Sequence, residues 1–132
     1  MTNVAINGLG RIGRATLKII FDTPELNLVA VNDVATAEDL AYLLRYDTVY
    51  GRYEKPVNVS DGQLIVGGKT IRLFNEKEPE KLPWKELKID LVFECTGRFT
   101  RRENLEKHVQ AGARSAILSA PSMRRLLPAN RR

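Results

Sequence analysis

Cysteine and histidine each occur only once in this chain of 132 residues, as Cys95 and His108. One cysteine excludes a disulfide within the chain, and one of each residue cannot build a zinc site, which needs further spaced ligands. No stretch approaches the roughly 18 apolar residues of a membrane span, and the start, MTNVAINGLG, lacks the pattern of a secretion signal. We therefore expect no metal site, no membrane association and a reducing cytoplasm.

Acidic residues are missing from the segment 122–132, which contains four arginines. These arginines supply most of the formal net charge of +5 and leave only +1 for residues 1–121. The nearly neutral body does not indicate a nucleic-acid surface, whereas the arginine-rich tail could attract polyanions weakly and without specificity. We expect one compact domain over residues 1–121 and an irregular basic tail over residues 122–132.

Short apolar runs alternate with segments of helical periodicity along most of the chain. Apolar residues recur at helical spacing from Arg11 to Phe21, and a Thr36–Asp39 capping pattern begins a second helix that ends near Arg45. The runs NVAIN, LNLVAVND, IDLVFECTG and SAILSAP indicate buried strands. Strands alternating with helices predict an α/β fold with a Rossmann-type doubly wound parallel sheet.

The middle of the chain, KPVNVSDGQLIVGGKTIRLF, has a different pattern. Three short runs are separated by Asp61-Gly62 and Gly67-Gly68, dipeptides that favour tight hairpin turns. This predicts a short antiparallel meander, inserted in the parallel sheet or appended to it.

Three glycines follow the first predicted strand at the spacing of a dinucleotide-binding turn: Gly8, Gly10 and Gly13. In such turns the first glycine permits the tight turn, the second lets a pyrophosphate approach the backbone, and the third lets helix and strand pack closely. The backbone N–H groups of Arg11 and Ile12, at the start of the next helix, would then face the phosphates.

Asp33 ends the second predicted strand, twenty residues after Gly13. A carboxylate at this place accepts hydrogen bonds from the adenosine ribose and repels a 2′-phosphate, which favours NAD over NADP. An alternative is that the three glycines and Asp33 only shape turns. We favour the dinucleotide site, because strand, glycine turn, helix, second strand and acidic residue occur in the order that such a site requires.

The segment ECTG ends another strand, where open α/β sheets bind ligands. Thr96 and Phe99 could flank an adenine or ribose there, and Ser119 ends the last strand; alternatively, Phe99 belongs to the core and Ser119 caps its strand. Cys95 lies in an apolar run and is predicted to be a buried structural thiol. Because Leu105 and Val109 carry the apolar face of the following helix, His108 is expected on its exposed side or flank, not as a base for Cys95.

The segments VAINGLGRIGR, VAVND, LLRYDTVYGRY, DLVFECTGRFTRRENLEKHVQAGA and AILSAP, in this order, resemble the N-terminal domain of phosphorylating glyceraldehyde-3-phosphate dehydrogenase. The resemblance covers about Asn3 to Pro121. Asp33 and Arg98 favour this family over erythrose-4-phosphate dehydrogenase. The resemblance implies an NAD-binding Rossmann domain in which Ser119 lies near the nicotinamide ribose and Lys77 replaces an arginine on the adenine side. The cofactor-binding residues predicted from motifs and resemblance together are Asn7, Gly8, Gly10, Arg11, Ile12, Asp33, Lys77, Thr96, Gly97, Phe99 and Ser119.

The resemblance stops after Pro121, where SMRRLLPANRR replaces the family's continuation. The family's catalytic domain carries the nucleophilic cysteine, its histidine partner and the substrate-phosphate site; Cys95 is not that cysteine. We therefore expect no catalytic residue here and an NAD-binding chain that is inactive alone. A frameshift, an engineered fragment or a natural short paralogue would each explain the divergent tail.

Two other classes of function stay open from the sequence. The chain could be a stand-alone nucleotide- or RNA-binding module that uses its arginine-rich tail, or a regulatory subunit that docks on a full-length dehydrogenase. Independently of these alternatives, we expect self-association of the chain through an exposed sheet edge, because the family's terminal strand is missing.

Overall fold

The structure, a computed structural model, describes residues 1–46, 55–96 and 102–118, with the side chains of 102–104 left out. Seven strands and three helices lie in these ranges. In chain order they are β1 (Thr2–Asn7), α1 (Arg11–Phe21), β2 (Leu26–Asn32), α2 (Ala37–Arg45), β3 (Val57–Ser60), β4 (Gln63–Val66), β5 (Lys69–Phe74), β6 (Leu91–Glu94), α3 (Arg102–Gln110) and β7 (Ser115–Leu118), with a single 3₁₀ turn at Pro79–Lys81.

All seven strands belong to one sheet, in the order β3-β4-β5-β2-β1-β6-β7. The pairs β5–β2, β2–β1, β1–β6 and β6–β7 are parallel, whereas the pairs β3–β4 and β4–β5 are antiparallel and form a meander. This confirms the doubly wound parallel sheet and the short meander. The meander is appended at the edge, and its last strand pairs with β2 as part of the parallel sheet.

The direction of winding reverses at β1. From β1 the chain first adds strands on the β2 side and then returns to add β6 and β7 on the other side. In open parallel sheets, ligands bind in the crevice at the carboxyl ends of the strands where this reversal occurs. The fold therefore directs attention to the ends of β1, β2 and β6.

Both faces of the sheet are covered. Val4 and Ile6 of β1 pack in one apolar cluster with α1 and α2, while Ala5, between them, packs with Trp84 and Val92 on the other face. Because successive strand residues point to opposite faces, a nearly continuous apolar strand is what a buried parallel sheet requires. Among the described residues, no helix is long and apolar enough to cross a membrane.

The helix ends follow their local sequence signals. Helix α1 has the predicted bounds, and the Thr36 side chain accepts a hydrogen bond from the Asp39 N–H at 3.1 Å, as expected of an N-cap. Gly112, just after α3, has φ +114° and donates its N–H to the Val109 carbonyl at 3.0 Å, as a glycine C-cap does. These capping residues account for where α2 begins and where α3 ends.

The expected orientation of α3 was wrong. His108 is fully buried, whereas Val109 is 47% exposed and Leu105 is only partly buried. Counting apolar residues misplaced the buried face because His108 finds polar partners inside the protein.

Gly13→Ala tests the close packing of α1 against the turn before it. A Cβ at Gly13 would lie 1.9 Å from the Gly8 carbonyl oxygen, so the substitution must displace backbone and should lower the free energy of unfolding by about 2 kcal/mol or more. Gly10→Ala is the matched control, because its Cβ meets no atom within 4 Å. Urea unfolding of both variants measures the difference, and equal losses would contradict the packing described here.

Candidate functional site

The turn between β1 and α1 is shaped by its glycines. Gly8 has φ +97°, and a Cβ there would lie 2.9 Å from the Thr96 backbone nitrogen, so only glycine lets the turn rest against the end of β6. Gly10, by contrast, faces open space. The turn is therefore tight on its sheet side and open on its outer side, as a surface for a bound phosphate would be.

Helix α1 begins at this turn, and no side chain in the described part of the chain caps its N-terminus or neutralises its positive dipole end. Gly10, its N-cap, offers no side chain, and the first turn of α1 contains no acidic residue. The first helical hydrogen bond joins the Arg14 N–H to the Gly10 carbonyl at 2.9 Å; within the described ranges, no acceptor receives the N–H of Arg11 or Ile12. Two donors and the positive end of the helix dipole thus face the opening beside Gly10.

A cleft of about 240 Å³ lies at the carboxyl ends of β1, β2 and β6. Six predicted residues line it: Asn7, Gly8, Gly10, Asp33, Lys77 and Thr96. Four lining residues were missed: Asn32, Val34, Glu76 and Cys95. Arg11 and Ile12 border the cleft at the start of α1 without lining it, and the predicted residues Gly97, Phe99 and Ser119 lie outside the described ranges.

Asp33 joins the glycine turn to the end of β2. Its Oδ2 accepts the Leu9 N–H at 2.7 Å, and its Oδ1 accepts the Ala35 N–H at 2.9 Å. Each carboxylate oxygen can accept more than one hydrogen bond, so both can still receive a hydroxyl from a ligand in the cleft. The side chain therefore has a structural task in addition to the predicted binding role.

A row of polar side chains crosses the sheet below the cleft. Asn7 stands in register with Asn32 on one side and Glu94 on the other. Asn32 Nδ2 donates to Asn7 Oδ1 at 2.7 Å, and Asn7 Nδ2 donates to Glu94 Oε1 at 2.8 Å. Asn32 also exchanges two hydrogen bonds with the backbone of Glu76, which holds the segment after β5 at the cleft.

Glu94 is fully buried at the end of β6 and accepts four hydrogen bonds. Oε1 accepts from Asn7 Nδ2 and from His108 Nε2, the latter at 2.7 Å, while Oε2 accepts from the Thr96 N–H at 3.0 Å and the Thr96 hydroxyl at 2.6 Å. Burial alone would raise the pKa of Glu94, but the hydrogen bonds from His108, Thr96 and Asn7 outweigh it and lower that pKa. The carboxylate is therefore ionised.

His108 and Trp84 complete the far end of this network. The Trp84 indole N–H, which can only donate, points at His108 Nδ1 at 3.1 Å. Nδ1 must then be the acceptor, and the proton on His108 lies on Nε2, toward Glu94. With both ring nitrogens engaged, His108 is not arranged as a base for Cys95, whose sulfur lies 3.8 Å from the Thr16 hydroxyl. Cys95 is 9% exposed, which confirms the expected buried thiol.

One signal in the sequence indicates this network: Glu94 is a charged residue that ends the otherwise apolar strand LVFE. Buried carboxylates require specific partners, so such a residue indicates a polar network. The partners themselves, Asn7, His108 and Thr96, are brought together only by the sheet.

The glycine turn after the first strand, the open helix terminus and the acid ending the second strand define a dinucleotide-binding domain of the doubly wound class. Residues 2–102 match the family described as glyceraldehyde 3-phosphate dehydrogenase, NAD binding domain. The chain belongs to this family, and its cofactor is NAD. The side-chain-free opening at Gly10, beside the donors of α1, fits such a cofactor.

The chain is similar to curated proteins named glyceraldehyde-3-phosphate dehydrogenase. It is 51% identical to the Clostridium pasteurianum protein over 122 residues, which are 92% of this chain and 36% of that protein. It is 47% identical to the Thermotoga maritima protein over 124 residues, which are 92% of this chain and 37% of that protein. It is 48% identical to the Geobacillus stearothermophilus protein over 119 residues, which are 90% of this chain and 36% of that protein. The chain thus spans about a third of the length of these relatives. The match favours the dehydrogenase interpretation over the RNA-binding module and the regulatory subunit.

Glu94→Gln tests the buried carboxylate. The glutamine side chain would replace one carboxylate oxygen with an NH₂ group, which would face hydrogen-bond donors that Glu94 now accepts from. The free energy of unfolding at neutral pH should therefore fall by about 2–4 kcal/mol. Because the pKa of Glu94 is lowered in the folded protein, its stabilisation is present above the ordinary value of 4.5 and is lost as the pH falls through the folded-state pKa. The difference between wild type and variant should therefore shrink in acid.

Urea unfolding from neutral pH to about pH 3 measures this difference. The matched control is Glu78→Gln, which removes an exposed ion pair with Lys81 and should change stability little. A Glu94→Gln loss that stays constant over the whole pH range would contradict the assigned charge.

Proposed function

We propose that NAD binds along the cleft with its pyrophosphate at the start of α1. The observation that carries this proposal is the open surface at Gly10 beside the N–H groups of Arg11 and Ile12. An anion there gains hydrogen bonds from donors that otherwise face solvent, together with the helix dipole. Asn7 and Gly8 would form the floor below the pyrophosphate.

The adenosine ribose would then lie at Asp33. The carboxylate is held by Leu9 and Ala35 in a fixed orientation, and its remaining acceptor capacity suits the two ribose hydroxyls. A 2′-phosphate would bring negative charge against it. The ordered carboxylate thus supports selection of NAD over NADP.

Lys77 and Thr96 would border the adenine side, since both line the cleft. Lysine provides a cation but no planar stacking surface, so its contribution is electrostatic. Gly97 and Phe99 beside the adenine, and Ser119 near the nicotinamide ribose, stay predictions.

We further propose that the domain serves the NAD-dependent, phosphorylating oxidation of glyceraldehyde 3-phosphate, the reaction that the family resemblance implies; the relatives' name denotes a dehydrogenase of this aldehyde. Bound NAD supplies the hydride acceptor for this reaction. The 132 residues of this chain bind and orient it, while their only thiol, on Cys95, is buried and packed beside Thr16. We therefore expect the 132-residue polypeptide to bind NAD without catalysing turnover.

The place and assembly of the domain are also proposals. A single cysteine and a glycolytic reaction suit the reducing cytoplasm. Self-association through the sheet edge is supported by β7, the last strand of the described sheet, whose Leu118 is exposed. A scattering mass that stays monomeric over a concentration series would contradict it.

Calorimetric titration with NAD tests the proposed site. We expect binding of NAD, with NADP at least about tenfold weaker because its 2′-phosphate meets the Asp33 carboxylate. Asp33→Ala should weaken NAD binding by about tenfold or more, since one charged hydrogen-bond pair is worth roughly 1.5–3 kcal/mol.

Asp33 also accepts hydrogen bonds from the Leu9 and Ala35 N–H groups, so Asp33→Ala could weaken binding by disturbing the turn. The control therefore changes the ligand instead of the protein. NAD lacking the adenosine 2′-hydroxyl should lose affinity for the wild type but not for Asp33→Ala. If NAD and NADP bind the folded wild type equally, Asp33 does not hold the ribose.

A further inference from the structure

Two residues that line the cleft, Asn7 and Thr96, are held by hydrogen bonds to a side chain outside the cleft lining, that of Glu94. Asn7 and Thr96 both donate side-chain hydrogen bonds to Glu94, which is fully buried and absent from the cleft lining. Glu94 in turn accepts from His108, and His108 accepts from Trp84. The cleft is thus joined by continuous hydrogen bonds to the opposite face of the sheet.

We infer that Glu94 and His108 are positioning residues for the dinucleotide site: His108 orients the Glu94 carboxylate, and the carboxylate fixes Asn7 and Thr96. The inference rests on the proposed NAD site. Neither residue is assigned contact with the cofactor, and both act through the residues that line the cleft.

The direction of the hydrogen bonds explains how the carboxylate fixes Asn7. Its amide has one satisfactory orientation, with Nδ2 toward Glu94 and Oδ1 receiving the Asn32 amide. Glu94 holds Asn7 in this orientation only while its carboxylate is ionised and can only accept hydrogen bonds. The N–H at His108 Nε2 donates to the carboxylate and stabilises the ionised form. The Glu94 carboxylate, an acceptor only, holds that proton on Nε2, and the indole N–H of Trp84 donates to the remaining nitrogen, Nδ1.

Thr96 extends the effect to the glycine turn, because it contacts both Glu94 and Gly8. Its N–H and its hydroxyl both donate hydrogen bonds to Glu94 Oε2. Toward any further partner, the hydroxyl can therefore act only as an acceptor. The same residue packs against Gly8 so closely that no Cβ would fit between them. A shift of Thr96 would therefore move the glycine turn, and with it the N–H groups of Arg11 and Ile12.

Two substitutions of His108 separate its hydrogen bonds. His108→Gln places an amide NH₂ near the position of Nε2 and keeps the donor to Glu94. His108→Asn places its amide oxygen near the position of Nδ1, which keeps the acceptor for Trp84 and loses the donor. We expect His108→Asn to raise the Kd for NAD about tenfold and His108→Gln to stay within about threefold of wild type.

Trp84→Phe is the control for stability. It removes one buried hydrogen bond and should lower stability, yet it leaves all four donors to Glu94 in place, so the Kd for NAD should stay within about threefold of wild type. If His108 were only structural, the Kd would follow stability across the three variants, and His108→Gln would not rescue. That pattern would overturn the inference.

A spectroscopic measurement on the wild type does not depend on the folding of variants. Because the chain has one histidine and one tryptophan, each gives a single set of ring nitrogen signals in ¹⁵N NMR. We expect His108 protonated on Nε2 alone at neutral pH, and a shift of the His108 and Trp84 signals when NAD is added. Protonation on Nδ1, or unchanged signals at saturating NAD, would overturn the inference while leaving the proposed function intact. Failure of the folded wild type to bind NAD would overturn both.

Discussion

The Glu94 carboxylate is the group on which the arrangement of the site depends. A charge placed inside a protein without partners costs several kcal/mol, and here the cost is met by four hydrogen bonds from three residues. Two of those residues, Asn7 and Thr96, also line the cleft. The requirement to satisfy one buried carboxylate therefore fixes side chains that face a ligand.

The parallel sheet makes this possible because it aligns the ends of its strands. Asn32, Asn7 and Glu94 are the last residues of β2, β1 and β6, and register places them side by side. On one face of this row lies the glycine turn, and on the other lie Trp84 and His108. A polar row across the ends of three strands thus separates the open cleft from an apolar layer, which gives the cleft a rigid floor.

Much of the fold could be predicted from local patterns. The bounds of α1, the Thr36 cap and the meander follow from spacing and turn dipeptides that act over a few residues. The glycine turn and Asp33 could be predicted because phosphate binding at a helix terminus imposes a short, ordered motif. These features need little information from distant parts of the chain.

The errors and omissions share a different physical origin. His108 was placed on the outside or flank because Leu105 and Val109 were taken as the apolar face of its helix. Its burial is explained by polar partners 14 and 24 residues earlier in the sequence, Glu94 and Trp84. Asn32 and Glu76, 44 residues apart, meet only through the pairing of β2 with β5. Such contacts are properties of the assembled sheet, and residue types along the chain do not reveal them.

The most direct test of this account follows the backbone amides by NMR while NAD is added to the intact chain. If the cleft is the NAD site, the largest shifts will fall on the glycine turn and on Arg11, Ile12, Asp33 and Thr96, with smaller shifts reaching His108. Binding that instead moves amides of the meander or of α2, and leaves the start of α1 unchanged, would contradict the account.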